Sequence, residues 1–394
     1  MARHIDRYLK EILEEDRFSF YQTVCDFADE EIGKHILQWE REHLLMPDDC
    51  LRKMGELGLF GLTVEEAYGG QGGDLLDLVL MGLAVGYHSP SAAITPGAAT
   101  SLGINPIHKF GSPAQKKEHL PDLTAGKRMA IFGLSEPGRG SDAANPEVLA
   151  IKTNGGYLLN KEKCWSTNAK WASHIVVHAM TDSTQPNGHR TTCFLVPMNR
   201  KGIHYQEMQG KTVWEQSSTG SVVFENVFAS SDEILGEYND GFKVMVTTLN
   251  GGRVFIAALA LSSLAFALDK CAHYVQERIQ FDGPIGRFQR VQDVLLDMDI
   301  ALEQHLSWLV HLSRLYTQNK LKREQAAKLK ISASRVASHL LVDAMEICGG
   351  VACLDEFGLM RHHRDLFVTR VGEGSNFALK TLAVKPLLPN ISIQ

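Results

Sequence analysis

The chain lacks most of the signatures that mark metal-binding, exported or nucleotide-gripping proteins. Its seven cysteines, Cys25, Cys50, Cys164, Cys193, Cys271, Cys348 and Cys353, show no CxxC and no Cys/His spacing suited to zinc, so no metal site or disulfide framework is expected. An odd, dispersed set of thiols fits a reducing, cytoplasmic compartment. The longest strongly apolar stretch is the 15 uncharged residues from Val254 to Leu268, short of the roughly 18 that a spanning helix requires; it reads as a buried core helix, and no membrane span is expected. The first thirty residues mix acids with bases in an amphipathic pattern, unlike a signal or transit peptide. Nor is there an excess of positive charge. Lys and Arg number 40 against 46 Asp and Glu, a formal charge of -6, which excludes nucleic acid or an anionic membrane held by a bulk basic field.

Several catalytic signatures are missing too. Neither GxGxxG after a strand nor GxxxxGK[ST] occurs, which removes the dinucleotide and P-loop readings. Ser135 sits in GLSEP rather than GxSxG, so a hydrolase elbow is unsupported. There is no HExxH, and His362 and His363 are adjacent, a poor spacing for two ligands on one helix face.

What is present is a globular chain of 394 residues, 44% hydrophobic and 22% charged, long enough for two or three domains at about 150 residues each. Proline and glycine punctuation divides it into three zones. Residues 1–128 carry apolar positions at helical spacing (Tyr8, Ile12, Phe18, Tyr21, Val24, Phe27, Ile32), broken by a YGGQGGD loop at Tyr68 to Asp74 that feeds the apolar Leu75 to Val85. Residues 129–237 shorten to β-branched and alternating runs such as HIVVHAM and GSVVFENV, a strand-rich domain. In residues 238–394, segments 253–282 and 287–348 contain neither Gly nor Pro, and Phe288, Val291, Val294, Leu295, Met298 and Leu302 mark one helical face, so a bundle of long helices is expected. The charged run KLKREQAAKLK at 320–330 reads as a solvated helix face.

Two central segments carry chemistry. IFGLSEPGRGSD at 131–142 combines hydroxyls, glycines and a proline-set turn, able to present free amides to a polar ring edge or a phosphate. In LLNKEKCWSTN, strand alternation puts Trp165 and Thr167 on one face, where a flat ring could stack while a hydroxyl meets its edge. Taken alone, Trp165 is more readily a core tryptophan, by about 3 to 1.

With ERIQFDGPIGRFQRVQ at 277–292, EICGGVACLDEFGLMRHHRD at 346–365 and VGEGSN at 371–376 following in order, the chain resembles the acyl-CoA dehydrogenase family of flavoproteins. The resemblance runs from the YGGQGGD loop through KFGSPAQKKEHLPDLTAGKR at 109–128 to the last helix. It implies a mainly α fold: an N-terminal helical domain, a middle β-barrel-like domain and a C-terminal helical bundle. It also implies FAD and an acyl thioester held between them, and a homotetramer built as a dimer of dimers. Carried over by position, Phe132, Leu134 and Ser135 meet the flavin's pyrimidine edge, Trp165 covers the isoalloxazine, and Ser166 and Thr167 lie beside it. Arg278, Phe281, Phe288 and Gln289, with Glu346, Ile347, Gly349 and Gly350, reach the rest of the FAD across a subunit interface, and Ser375 adds a hydroxyl. Ser141, Phe242, Asn250, Arg253, Gly372 and Gly374 match substrate contacts. Arg253, at the helix beginning LNGGR, has a helix N-terminal salt bridge as its structural alternative.

The resemblance assigns the α-proton base to Glu373, with the β-hydrogen leaving as hydride to flavin N5 and a trans-2-enoyl thioester as product. Isolated, GEGS would read as a surface helix cap. Some relatives carry the base just before the arginine of LNGGR; that position is Gly252 here, which cannot act. Departures from the family pattern are Glu346 for the glutamine of QxxGG, Ala352 and Cys353 for a glycine and an aromatic, Gly372 for a tyrosine, Asn376 and Phe377 after the base, and Glu215 for an arginine. The leading expectation is dehydrogenation of an acyl-CoA with an electron-transfer flavoprotein as acceptor. An acyl-carrier-protein thioester dehydrogenase, a flavin oxidase or monooxygenase, and a non-catalytic helical binding protein are the alternatives.

Overall fold

The computed structural model describes Arg3–Leu388 and Asn390–Ile391. The N-terminal part is helical: α1 (His4–Ile12), α2 (Glu15–Ala28), α3 (Ile36–Arg41), α4 (Asp48–Glu56), α5 (Leu75–Gly86), α6 (Pro90–Ala98), α7 (Asn105–Phe110) and α8 (Pro113–Thr124). The YGGQGGD loop does feed a helix. Asp74 caps α5 by accepting from the Leu76 N–H at 2.8 Å while Arg17 grips its carboxylate, so the helix start is satisfied and tied to α2 in one step.

A mostly antiparallel sheet follows: β1 (Met129–Gly133), β2 (Leu149–Thr153), β3 (Gly156–Thr167), β4 (Ala172–Met180), β5 (Thr191–Pro197), β6 (Ile203–Glu207), β7 (Thr219–Ser230) and β8 (Ile234–Leu235). Its order is β6-β7-β3-β2-β4-β5-β8, with β1 parallel beside β4. The β3–β7 ladder shifts register twice, at Leu159/Lys161 and at Lys163/Ser166. The second shift inserts an extra residue in β3, and Trp165 takes φ +58° there. Bulges of this kind re-aim a side chain, and this one turns the indole outward to 65% exposure. Trp165 is therefore not a core tryptophan. Ser166 is buried between the exposed Trp165 and the half-buried Thr167.

The remainder is the expected bundle: α9 (Gly241–Glu277), a short hairpin of β9 (Ile279–Gln280) and β10 (Gly283–Pro284), then α10 (Gln289–Thr317), α11 (Arg323–Cys348), α12 (Leu359–Val371) and α13 (Asn376–Val384). Two readings need correction. LNGGR does not begin a helix but lies inside α9, because the space at Gly251 and Gly252 is taken by Tyr316 and Glu373 and packing outweighs the helix penalty of about 1 kcal/mol for glycine. Within 287–348, α10 and α11 are separated near Asn319, which adopts φ +56°. KLKREQAAKLK is not all solvated: Lys330 is fully buried.

The N-terminal and C-terminal helices share one core. α9 runs through it, buried at every residue from Gly251 to Leu268. Phe255 wedges its ring where Gly82 of α5 and Gly97 of α6 have no side chains; a Cβ at either would come within 2.6 Å or 2.1 Å of the ring. Gly86 makes the same allowance for Ser262 and Leu259. Two stretches, α9 and Arg323–Cys353, are long and apolar enough to cross a bilayer. The apolar window of α9 is 89% enclosed by protein and that of Arg323–Cys353 is 33% enclosed. The sheet has its own core around Tyr157, Phe194 and Phe224.

Candidate active site

The turn between α12 and α13 carries Glu373 in a left-handed conformation, φ +54°, followed by Gly374 at φ +93°. This backbone is costly for an L-residue and aims the carboxylate back at α9. A Cβ placed on Gly252 would fall 2.5 Å from Glu373 Oε1 and 2.8 Å from Oε2. Gly252 and Glu373, far apart in sequence, thus meet at one point, and glycine at 252 leaves room there for the carboxylate. Glu373 Oε2 is buried without a hydrogen-bond partner. Burial pushes its carboxyl up to about 7 against the opposing pull of Arg253 and Lys330. The Glu373 N–H finds no acceptor among the described residues.

Arg253 is buried mid-helix, not at a helix N-terminus. Its Nε donates to the Glu373 carbonyl at 3.2 Å and its Nη1 to Asn250 Oδ1 at 3.0 Å. Burial lowers its pKa while Glu373 raises it. Lys330 Nζ donates to Gly374 O at 2.7 Å and to Asn376 Oδ1 at 3.1 Å, and burial pulls it down to about 7. Ser375 caps α13, accepting from the Ala378 N–H at 3.2 Å. Gly372 ends α12, with open space on all sides of a notional Cβ except toward Val368.

A second cluster stands at the edge of the sheet. Phe132 is buried in β1, and Leu134 and Ser135 are half-buried just beyond it. The Ser135 carbonyl accepts from the Cys164 N–H at 2.8 Å, which joins the loop to the Trp165 bulge. Beneath lies a fully enclosed ion pair, Lys163 Nζ to Glu136 Oε1 at 2.6 Å. Glu136 also accepts from the Val148 N–H at 2.9 Å and from the Glu147 N–H, and Lys163 Nζ reaches the Leu134 carbonyl at 3.1 Å. With each of these groups satisfied, the pair pins both ends of loop 134–147. Ser166 Oγ is buried with no partner, an orphan polar atom beside an exposed indole. This arrangement suits a flat ring with polar edges, so the residues present fit the isoalloxazine that the resemblance implies.

The other expected residues lie apart from this cluster. Arg278, Gln289, Glu346, Gly349 and Gly350 are exposed and Ile347 is half-buried. Phe281 is 81% exposed with its ring edge-on to Phe288 at 6.0 Å. Ser141 is exposed on loop 134–147, and Phe242 is half-buried near the start of α9. Glu215 is engaged by His43 at 2.8 Å and by Arg364 at 3.5 Å.

Sequence reasoning missed Lys330, Asn376, Lys163 and Glu136. For Lys330 a signal existed: it falls in helical register with the buried Ala326, Ala333 and Ala337, so it lies on the apolar face. Nothing local marked Lys163, whose partner is 27 residues away.

Patterns of the acyl-CoA dehydrogenase N-terminal, middle and C-terminal domains match residues 14–127, 131–227 and 239–385. The human mitochondrial short-chain specific acyl-CoA dehydrogenase is 36% identical over 357 residues, 90% of this chain and 86% of that protein. Butyryl-CoA dehydrogenase from Megasphaera elsdenii superposes with a TM-score of 0.91 at 31% identity, over 95% of this chain and 99% of that one. A glutaryl-CoA dehydrogenase from Mycobacterium smegmatis, solved in complex with FADH2, superposes with a TM-score of 0.91 at 26% identity, over 98% and 97% of the two chains. The chain belongs to the acyl-CoA dehydrogenase family of FAD-dependent flavoproteins and is an oxidoreductase acting on a CH–CH group.

Proposed function

We propose that the protein oxidises an acyl thioester, acyl-CoA in the first instance, to the trans-2-enoyl thioester, with Glu373 as the base that takes the α-proton. The observation that carries this reading is the half-buried Glu373 carboxylate above Gly252, whose Oε2 is buried without a partner. An ordinary carboxylate is a weak base toward carbon. One raised to about 7 is both ionised in part at neutral pH and a better proton acceptor. The free Glu373 N–H is suited to the thioester oxygen, where negative charge grows as the proton leaves. Protonating Glu373 removes its charge, and the two cations that faced it, Arg253 and Lys330, then favour the enolate.

The FAD would be held by Phe132, Leu134, Ser135, Trp165, Ser166 and Thr167. Across a subunit contact, the exposed Arg278, Phe281, Phe288, Gln289, Glu346, Gly349 and Gly350, with Ile347, would complete its site. Arginine suits the diphosphate, whose oxygens pair with its fork. When bound, FAD supplies the acceptor for the hydride from the β-carbon. A homotetramer, an electron-transfer flavoprotein as acceptor and a cytoplasmic setting complete the proposal. The test is anaerobic titration of the purified yellow protein with acyl-CoA esters of increasing length. Bleaching of the flavin in wild type, and none in a Glu373→Gln variant that retains FAD, is expected. Normal bleaching in that variant would show that another residue is the base.

A further inference from the structure

Lys330 lies in the second turn of α11 with no exposed surface. Removing an ammonium from water costs several kcal/mol unless close partners repay it, yet both of its hydrogen-bond acceptors are neutral, Gly374 O and Asn376 Oδ1. Asn376 is itself fixed, donating from Nδ2 to Ser334 Oγ at 2.9 Å, one helical turn beyond Lys330. The charged groups facing Lys330 are Glu373 and Arg253, and Arg323 is within electrostatic reach of Arg253. The ammonium therefore spends its hydrogen bonds on Gly374 and Asn376, one and three residues beyond Glu373. Its charge goes to the base.

The carbonyl it holds belongs to the second of two consecutive left-handed residues. Without a donor that carbonyl would be a buried acceptor left unsatisfied, a state that costs about 1–3 kcal/mol, and the turn would relax toward a commoner backbone. We propose that Lys330 is a positioning residue for the base: by clamping Gly374 O and Asn376 Oδ1 it holds the turn that aims the Glu373 carboxylate over Gly252. The inference rests on Glu373 being the base. Its electrostatic corollary is that the same ammonium, with Arg253, opposes the effect of burial on Glu373, so that loss of the charge moves the base's ionisation to higher pH.

The holoenzymes of wild type, Lys330→Met, Lys330→Arg and Asn376→Ala are compared in anaerobic flavin reduction by butyryl-CoA across pH. Lys330→Met should slow reduction on the order of 100-fold, the cost of a misplacement of about 1 Å, with KM changed by less than about threefold. Its acid limb should move to higher pH, and Lys330→Arg, which keeps the charge, should return the limb toward its wild-type position. Asn376→Ala keeps the ammonium and should slow reduction without moving the limb. An unmoved limb in a Lys330→Met protein that has its FAD overturns the inference. If Lys330→Met does not fold, a wild-type rate in Asn376→Ala, or an acid limb displaced to higher pH in Lys330→Arg, overturns it instead. Glu373→Gln separates the two readings. Normal reduction there overturns the base assignment, whereas a dead Glu373→Gln beside a normal Lys330→Met overturns only the role of Lys330.

Discussion

Replacing Gly252 by alanine should make the protein more stable and less active at once. The new Cβ would sit 2.5 to 2.8 Å from the three terminal atoms of Glu373, against 3.4 Å or more for ordinary contact. The carboxylate must retreat by the difference, somewhat under 1 Å. It ends a flexible side chain, so the retreat costs the fold little, while a glycine-to-alanine change inside α9 should gain up to about 1 kcal/mol. The reaction has no such tolerance. A displacement of about 1 Å in a reacting group costs up to about 100-fold, or about 2.7 kcal/mol of barrier. Thermal unfolding of the FAD-loaded variant and single-turnover flavin reduction by butyryl-CoA measure the two effects separately. A Gly252→Ala protein with a raised Tm and an undiminished rate would refute the placement of the carboxylate. Joint loss of stability and activity would show that the space above residue 252 is closed by backbone rather than by a side chain that can move.

Breaking the enclosed pair with Lys163→Met leaves the Glu136 carboxylate without its cation and should cost about 3–5 kcal/mol; adding Glu136→Gln should recover part of that, as denaturant titration will show. Trp165→Ala removes a side chain that is 65% exposed, so unfolding should change by less than about 0.5 kcal/mol while FAD is lost more readily on gel filtration. His178 is fully buried with its Nε2 on Thr191 Oγ1 at 2.8 Å, and burial pushes it down to about 3. Below its ordinary value of 6.5 the unfolded chain takes a proton that the folded chain refuses, so this histidine lowers stability as pH falls from 6.5 toward 3. In His178→Gln the fall of Tm across that window should be shallower, and an unchanged slope would exclude His178 as a contributor.

The fold zones were legible because their signals are long: fifteen uncharged residues for the heart of α9, and repeated β-branched runs for the sheet. Glu373 was singled out because short motifs stood in order along the chain, and the structure brings that residue against Gly252. What failed was anything decided by a partner distant in sequence. Lys330 looked like a solvated lysine because its acceptors lie 44 and 46 residues further on. Trp165 looked like a core residue because burial statistics take no account of a bulge that only the β7 register creates. The LNGGR glycines looked like a helix boundary because the side chains that fill their missing volume, Tyr316 and Glu373, come from elsewhere in the chain.

The enclosure of α9 has a consequence for synthesis of the chain. α5 and α6 present glycine notches that side chains of α9 fill, and the ribosome completes α9 only after all eight strands of the sheet have been made. At about 5–20 residues per second, the interval between α6 and the end of α9 is on the order of ten seconds, during which that surface faces solvent. A fragment ending before α9 keeps α1 to α8 and the whole sheet but lacks the helix whose side chains fill those notches, so it should aggregate when expressed alone.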